Sequence, residues 1–158
     1  MSEEPFVPSD FVVPPALATE QFRLEPLGPQ HNDSDYEAWS SSLEHIRATP
    51  GWETSTWPDD RSKEDNLRDL QGHADDFAQR TGFTYTVLDP ARGDVIGCVY
   101  IYPHKQEEHD ARVSSWVRVS RAELDVPLWR AVTDWLVDLW PFEHAFYAER
   151  PAGASGRV

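Results

Sequence analysis

The sequence predicts an α/β or α+β sandwich, helices packed on a sheet, from three observations. Two strand-like runs, Phe83–Leu88 and Val95–Tyr102, flank the turn-forming stretch Asp89-Pro-Ala-Arg-Gly-Asp94 and read as a hairpin. A third alternating run over 111–120 leads into a helical repeat of Leu128, Val132, Trp135, Leu136 and Leu139. Ahead of these, a period-two segment at 22–27 is followed by two stripes at helical spacing.

Taken in order, residues 1–21 form an irregular arm, because Pro5, Pro8, Pro14 and Pro15 supply no backbone donor. Its Phe6, Phe11, Val12, Val13 and Leu17 are apolar enough to pack along the domain or against a second copy in a homodimer. Phe-Arg-Leu-Glu-Pro-Leu at 22–27 alternates as a half-buried strand does. Asn32, Asp33 and Ser34 offer capping oxygens to a first helix carrying Tyr36, Trp39, Leu43 and Ile46, to about Arg47. Residues 49–61 hold Pro50, Gly51, Pro58, Trp52 and Trp57 and read as a structured loop.

Ser62 with Asp65 is a capping box for a second helix bearing Leu67, Leu70, Ala74 and Phe77, with Gly82 placed to stop it. In the run 111–120, Val113, Val117 and Val119 share one face and Trp116 and Arg118 the other. Asp125 can cap the next helix, Pro127 lies in its first turn, and Pro141 ends it. Residues 143–148 can form a last short strand. A single domain thus spans 22–150, and 151–158 is a small polar tail expected to fray.

The chain has 158 residues, 39% of them hydrophobic, enough to bury one core. No apolar run approaches the roughly 20 residues of a membrane span. The N-terminus reads Met-Ser-Glu-Glu-Pro, acidic where a leader peptide is basic, so a cytoplasmic location is expected. The single cysteine, Cys98, allows no internal disulfide, and its apolar strand context makes it a core thiol.

Net charge is −14, concentrated in residues 1–80, with 6 Lys or Arg against 17 Asp or Glu. Such a field repels polyanions, so nucleic acid is not expected as a partner. It favours cationic ligands such as small amines, although acidic surfaces also serve solubility alone.

The element order, with Gly82-Phe-Thr-Tyr-Thr-Val, the hairpin into Val95-Ile-Gly-Cys-Val-Tyr-Ile-Tyr, and the span from Ser115-Trp-Val-Arg-Val to Trp140-Pro-Phe, resembles the GNAT superfamily of N-acetyltransferases over about residues 22–148. The resemblance implies a mixed, mostly antiparallel central sheet flanked by helices. It also implies a sheet splayed between the strand at 111–120 and the strand near 144–148, with acetyl-CoA in the gap and its pantetheine arm paired to the first of these strands. On that resemblance Trp116, Val117, Arg118 and Val119 would be cofactor-facing.

In the superfamily the next loop cradles the pyrophosphate on free amides at a helix N-terminus, where glycines let the backbone approach. Arg121 matches that loop's first position. Leu124 stands at the first glycine and Val126 at the final small residue, while Glu123 and Asp125 bring negative charge to the expected phosphates. Pro127 removes a further donor. The superfamily also continues past its fifth strand with a helix that often supplies a tyrosine to protonate the thiolate, whereas only eleven residues follow Tyr147 here. No residue inherits that role by position, so the resemblance implies no catalytic residue, and Tyr147 is a candidate by residue type alone.

Amine acetylation requires a base, which Glu107, Glu108, His109 or Asp110 could supply from the loop before the third long strand, although an exposed turn reads as well. His104 and His109 do not match any ordinary zinc spacing, so no metal is expected. Trp39, Trp129, Trp135 and Trp140 read as core, whereas Trp52 and Trp57 lie where such proteins shape an acceptor pocket and are the substrate-contact candidates. Two readings follow: an acetyl-CoA-dependent N-acetyltransferase of a small amine, or a GNAT-fold binding or interaction module that no longer holds acetyl-CoA, a pseudoenzyme.

Overall fold

Residues 5–53, 62–104 and 109–150 are described in a computed structural model of the chain. Six strands form one sheet in sequential order: β1 (Leu17–Ala18), β2 (Arg23–Pro26), β3 (Phe83–Leu88), β4 (Val95–Tyr102), β5 (Ala111–Val117) and β6 (Ala145–Tyr147). The first four junctions are antiparallel, and β5 with β6 is parallel, the mixed and mostly antiparallel sheet that was expected. The helices are α1 (Asn32–Ser40), α2 (Leu43–Arg47), α3 (Lys63–Gln79) and α4 (Asp125–Leu139).

Each face of the sheet has its own core. On one side α4 buries Leu128, Val132, Trp135 and Leu136 against Phe83, Tyr85, Val113 and Val117. On the other, α1 to α3 bring Ala38, Trp39, Ile46 and Leu70 onto Cys98 and Trp116. The alternation that put Val113 and Val117 opposite Trp116 is the physical basis of this division. No helix among the described residues is long and apolar enough to cross a membrane.

The N-terminal arm packs on its own domain. Val7 is buried in the α4-side core, and Phe6 stacks on Phe83 and Phe142 at 5.9 and 5.1 Å. The Tyr85 hydroxyl donates to the Pro14 carbonyl at 2.6 Å, and Arg80 Nη2 donates to the carbonyls of Pro8 and Phe11.

Five local expectations change. The single helix predicted to Arg47 is broken at Ser41 and Ser42, whose hydroxyls donate to the Glu37 and Ala38 carbonyls and compete with the helical ladder. The Ser62–Asp65 capping box forms, but α3 ends on Arg80 in the left-handed region (φ 63°), not on Gly82. Gly82 is required for another reason: a Cβ there would collide with the Tyr102 ring.

The strand predicted to residue 120 stops at Val117, because the chain turns into a 3-10 helix at Val119–Leu124 and leaves Val119 49% exposed. The cap of α4 is Leu124, and Asp125 is its first helical residue. Leu67 and Leu139, expected on buried stripes, are exposed.

Candidate functional site

β5 and β6 pair only from Ala111↔Ala145 to Val113↔Tyr147 and then part. The opening beyond Val113 is the splay that the resemblance assigns to acyl-CoA, and here the side chain of Arg150 bridges it from Ser115 of β5 to Ala148 after β6. Arg150, 4% exposed, lies within it. Its Nη2 donates to the Ser115 carbonyl at 3.0 Å and to Ser115 Oγ at 3.2 Å. Its Nη1 donates to the carbonyls of Ala148 and Pro50 at 2.9 and 3.2 Å. Its Nε and Nη2 donate to the two carboxylate oxygens of Asp125 at 2.8 and 3.2 Å.

The same Ser115 carbonyl accepts from Trp52 Nε1 at 2.9 Å, and Ser115 Oγ lies 2.5 Å from the Tyr147 hydroxyl. Burial raises the Tyr147 phenol well above its ordinary value, against a lesser lowering by its bond to Ser115. In this setting it is a neutral donor or acceptor.

The segment expected to cradle a pyrophosphate is built differently. Leu124 and Val126 point inward, 3% and 6% exposed, with Leu124 in the α4-side core. Three amides along it are already used: Val119 N–H donates to Ser42 Oγ, Arg121 N–H to the Arg118 carbonyl, and Asp125 N–H to the Ala122 carbonyl. Arg121 turns to Asp89 at 3.0 Å and Glu123 at 3.4 Å. The Asp89 carboxyl lies below its ordinary value, chiefly because the Arg92 backbone N–H bonds it, with Arg121 adding to the effect.

The other cofactor candidates diverge. Trp116 is fully buried on the α1–α3 side, its Nε1 donating to the Tyr100 hydroxyl at 3.0 Å. Val117 is buried in the opposite core. Arg118 donates its backbone N–H to the Ile96 carbonyl and its Nη2 to Glu37 at 2.8 Å. The charge expected at Asp125 is taken up by Arg150, which leaves Glu123 as the acid exposed beside this segment.

On the α1–α3 side, next to Trp52, lies a cavity of about 350 Å³. Trp52 and Tyr100 form part of its wall, edge to face at 5.5 Å, with His73 tilted against Tyr100 at 5.7 Å. Asp35, Asn66, Asp69, Tyr102, Arg112 and Ser114 are its other polar features. Asn66 Nδ2 donates to Asp35 Oδ2 at 3.0 Å and Cys98 Sγ to Asp35 Oδ1 at 3.5 Å. Burial raises the Asp35 carboxyl despite the bond from Asn66, and the nearby charge of Asp69 adds to the rise. Burial lowers the His73 imidazole, so this ring is neutral near pH 7.

Of the two tryptophans expected to contact a substrate, Trp52 lines this cavity, while Trp57 lies outside the described residues, as do Glu107 and Glu108. The rings of His109 and His104 lie 4.9 Å apart and tilted, and Asp110 accepts the backbone N–H groups of Glu143 and His144, so it ties the start of β5 to that of β6. No cluster of three or more metal-ligating side chains occurs among the described residues.

Sequence reasoning missed Arg150, Asp35, Asp69, His73 and Arg112. Asn66 and His73 interrupt the apolar face of α3 next to Leu70, and that polar insertion was the available signal for the cavity. Arg150 carried no local signal.

No protein-family profile matches the chain, and no curated protein matches it in sequence. Solved structures match it in fold. The ribosomal-protein-S5-alanine acetyltransferase of Vibrio fischeri superposes with a TM-score of 0.58 at 16% identity, covering 77% of this chain and 66% of that one. RimL, a ribosomal L7/L12 alpha-N-protein acetyltransferase, gives 0.59 at 11% identity in its apo form, covering 77% and 63%. In its complex with coenzyme A, RimL gives 0.55 at 9% identity, covering 76% and 66%. The chain spans about two thirds of the length of these proteins. On this likeness, which covers about three quarters of its length, this chain has the fold of the GNAT-family acetyltransferases.

Proposed function

We propose that this GNAT fold serves as a binding module for a small amine, held in the cavity beside Trp52, and that it does not take acetyl-CoA in the manner of the superfamily. The observation that carries this reading is Arg150. A pantetheine arm laid along β5 would need the Ser115 backbone, and the Ser115 carbonyl is already shared by Arg150 and Trp52. Displacing Arg150 would leave the Asp125 carboxylate without its partner in a largely desolvated setting, at a cost of several kcal/mol. The segment that would receive the diphosphate supports the same reading, since its inward Leu124 and Val126 and its committed amides do not fit an anion cradle.

The amine reading is supported by the composition of the cavity. Two carboxylates, Asp35 and Asp69, line the same cavity as the Trp52 and Tyr100 rings, a composition that suits a desolvated ammonium, which gains from charge and from the ring quadrupole. The net charge of −14 draws cations towards it. The transferase reading retains one point in its favour, the likeness to a protein solved with coenzyme A.

Isothermal calorimetry separates the two. Acetyl-CoA is expected to give no binding heat up to about millimolar concentration, while a primary alkylamine binds and quenches Trp52 fluorescence. Micromolar acetyl-CoA binding would restore the transferase.

A further inference from the structure

Charge is ordered along the cavity. Pairing of β4 with β5 sets three successive steps on one face of the sheet: Cys98 opposite Trp116, Tyr100 opposite Ser114, and Tyr102 opposite Arg112. α3 runs alongside. Its Asn66 reaches Asp35, which is bonded to Cys98 at the inner step. Its His73 Nδ1 meets the Tyr102 hydroxyl at 2.9 Å, at the outer step. Asp69 lies on the intervening turn of the helix. Four residue steps along β4 take the chain from the inner to the outer step, about 13 Å along the sheet.

Among the residues that line the cavity, the carboxylates of Asp35 and Asp69 therefore lie at the inner and middle steps and the guanidinium of Arg112 at the outer one, where the Tyr102 hydroxyl also donates at 2.9 Å to Asp76, a carboxylate behind the lining. Arg112 sits over the Phe146 ring at 5.8 Å, and no carboxylate among the described residues forms an ion pair with it. The wall between the two ends is aromatic, from Trp52 and Tyr100. A plain amine would match only the inner end. A molecule with an anionic group at its far end would match both, and a guanidinium is well suited to a carboxylate.

Building on the amine reading, we infer that the ligand is a small zwitterion, its ammonium at Asp35 and Asp69, its chain across Trp52 and Tyr100, and its carboxylate at Arg112. The about 350 Å³ of the cavity accommodates a chain of this kind and excludes a folded polypeptide.

The test uses the full chain and three probes of matched length, 6-aminohexanoate, hexylamine and hexanoate, titrated calorimetrically at low salt. 6-Aminohexanoate is expected to bind at least about tenfold more tightly than hexylamine, with hexanoate weakest. Arg112→Gln, at an exposed position, should bring 6-aminohexanoate down to the hexylamine level, and Asp69→Asn should weaken both amines. Equal affinity for the two amines, or an affinity ratio preserved in Arg112→Gln, would overturn the zwitterion while leaving the amine site in place. Silence with all three probes would overturn the amine site and the zwitterion together.

Discussion

Arg150 and Asp125 form a two-pronged ion pair in the splay of the sheet, Nε to Oδ2 at 2.8 Å and Nη2 to Oδ1 at 3.2 Å, with the Arg150 side chain 1% exposed. The pair joins the first residue of α4 to the chain just beyond β6. Through the Ser115 and Pro50 carbonyls it also ties β5 and the segment that carries Trp52. One guanidinium thus closes the opening of the sheet and braces one wall of the adjoining cavity.

Arg150→Leu is expected to destabilise the chain by about 2–4 kcal/mol, because it leaves the mostly buried Asp125 carboxylate without its partner and removes the donor to the part-buried Pro50 and Ala148 carbonyls. Urea unfolding reads the loss. The double variant Arg150→Leu with Asp125→Leu should recover part of it, and a single-variant change below about 1 kcal/mol would mean the pair carries little.

Glu123 and Asp125 were grouped by the sequence as acids beside the same loop, but they should respond differently. Glu123 has its side chain 67% exposed and meets Arg121 at 3.4 Å, so Glu123→Gln should alter stability by no more than about 0.5 kcal/mol. Asp125→Asn strands the Arg150 charge and should cost about 2 kcal/mol or more. Equal thermal midpoints for the two variants would contradict this assignment.

Gly97 in β4 lies against its partner strand so closely that a Cβ would collide with the Trp116 backbone carbonyl. Backbone cannot yield as a flexible side chain does, so Gly97→Ala should force β4 from β5 and cost roughly 2 kcal/mol or more. Near-ultraviolet circular dichroism of Trp116 would register the shift, and an unchanged spectrum with unchanged stability would count against the close pairing.

Asp35 gives a pH signature. Its carboxyl is raised above 3.8 in the folded chain by burial, with Asn66, Cys98 and His31 acting to lower or bond it and Asp69 to raise it. The native state therefore holds that proton more tightly than the unfolded chain does. The stability this proton contributes is present at acid pH and is lost as pH rises through the raised value. Relative to Asp35→Asn, the wild type should be more stable near about pH 4 than near about pH 7. A constant offset between the two proteins across that range, by urea unfolding, would remove Asp35 as a buried acid.

The sequence by itself determined what short-range periodicity and capping can express. Phe83–Leu88 and Val95–Tyr102 were legible to their end residues, because alternation and turn formers act over a few positions. The capping box of Ser62 and Asp65 was legible for the same reason. Only the tertiary structure decided the site. Arg150 finds Pro50, 100 residues away, and Ser115, 35 residues away, and no local pattern marks an arginine for that position. Asp35, Asp69 and Arg112 meet one cavity because strand register and the packing of α1 and α3 on the sheet bring them there. Local patterns fix which face a residue takes; the convergence of charges follows from how distant segments close on one another, which a chain read in order does not encode in any single stretch.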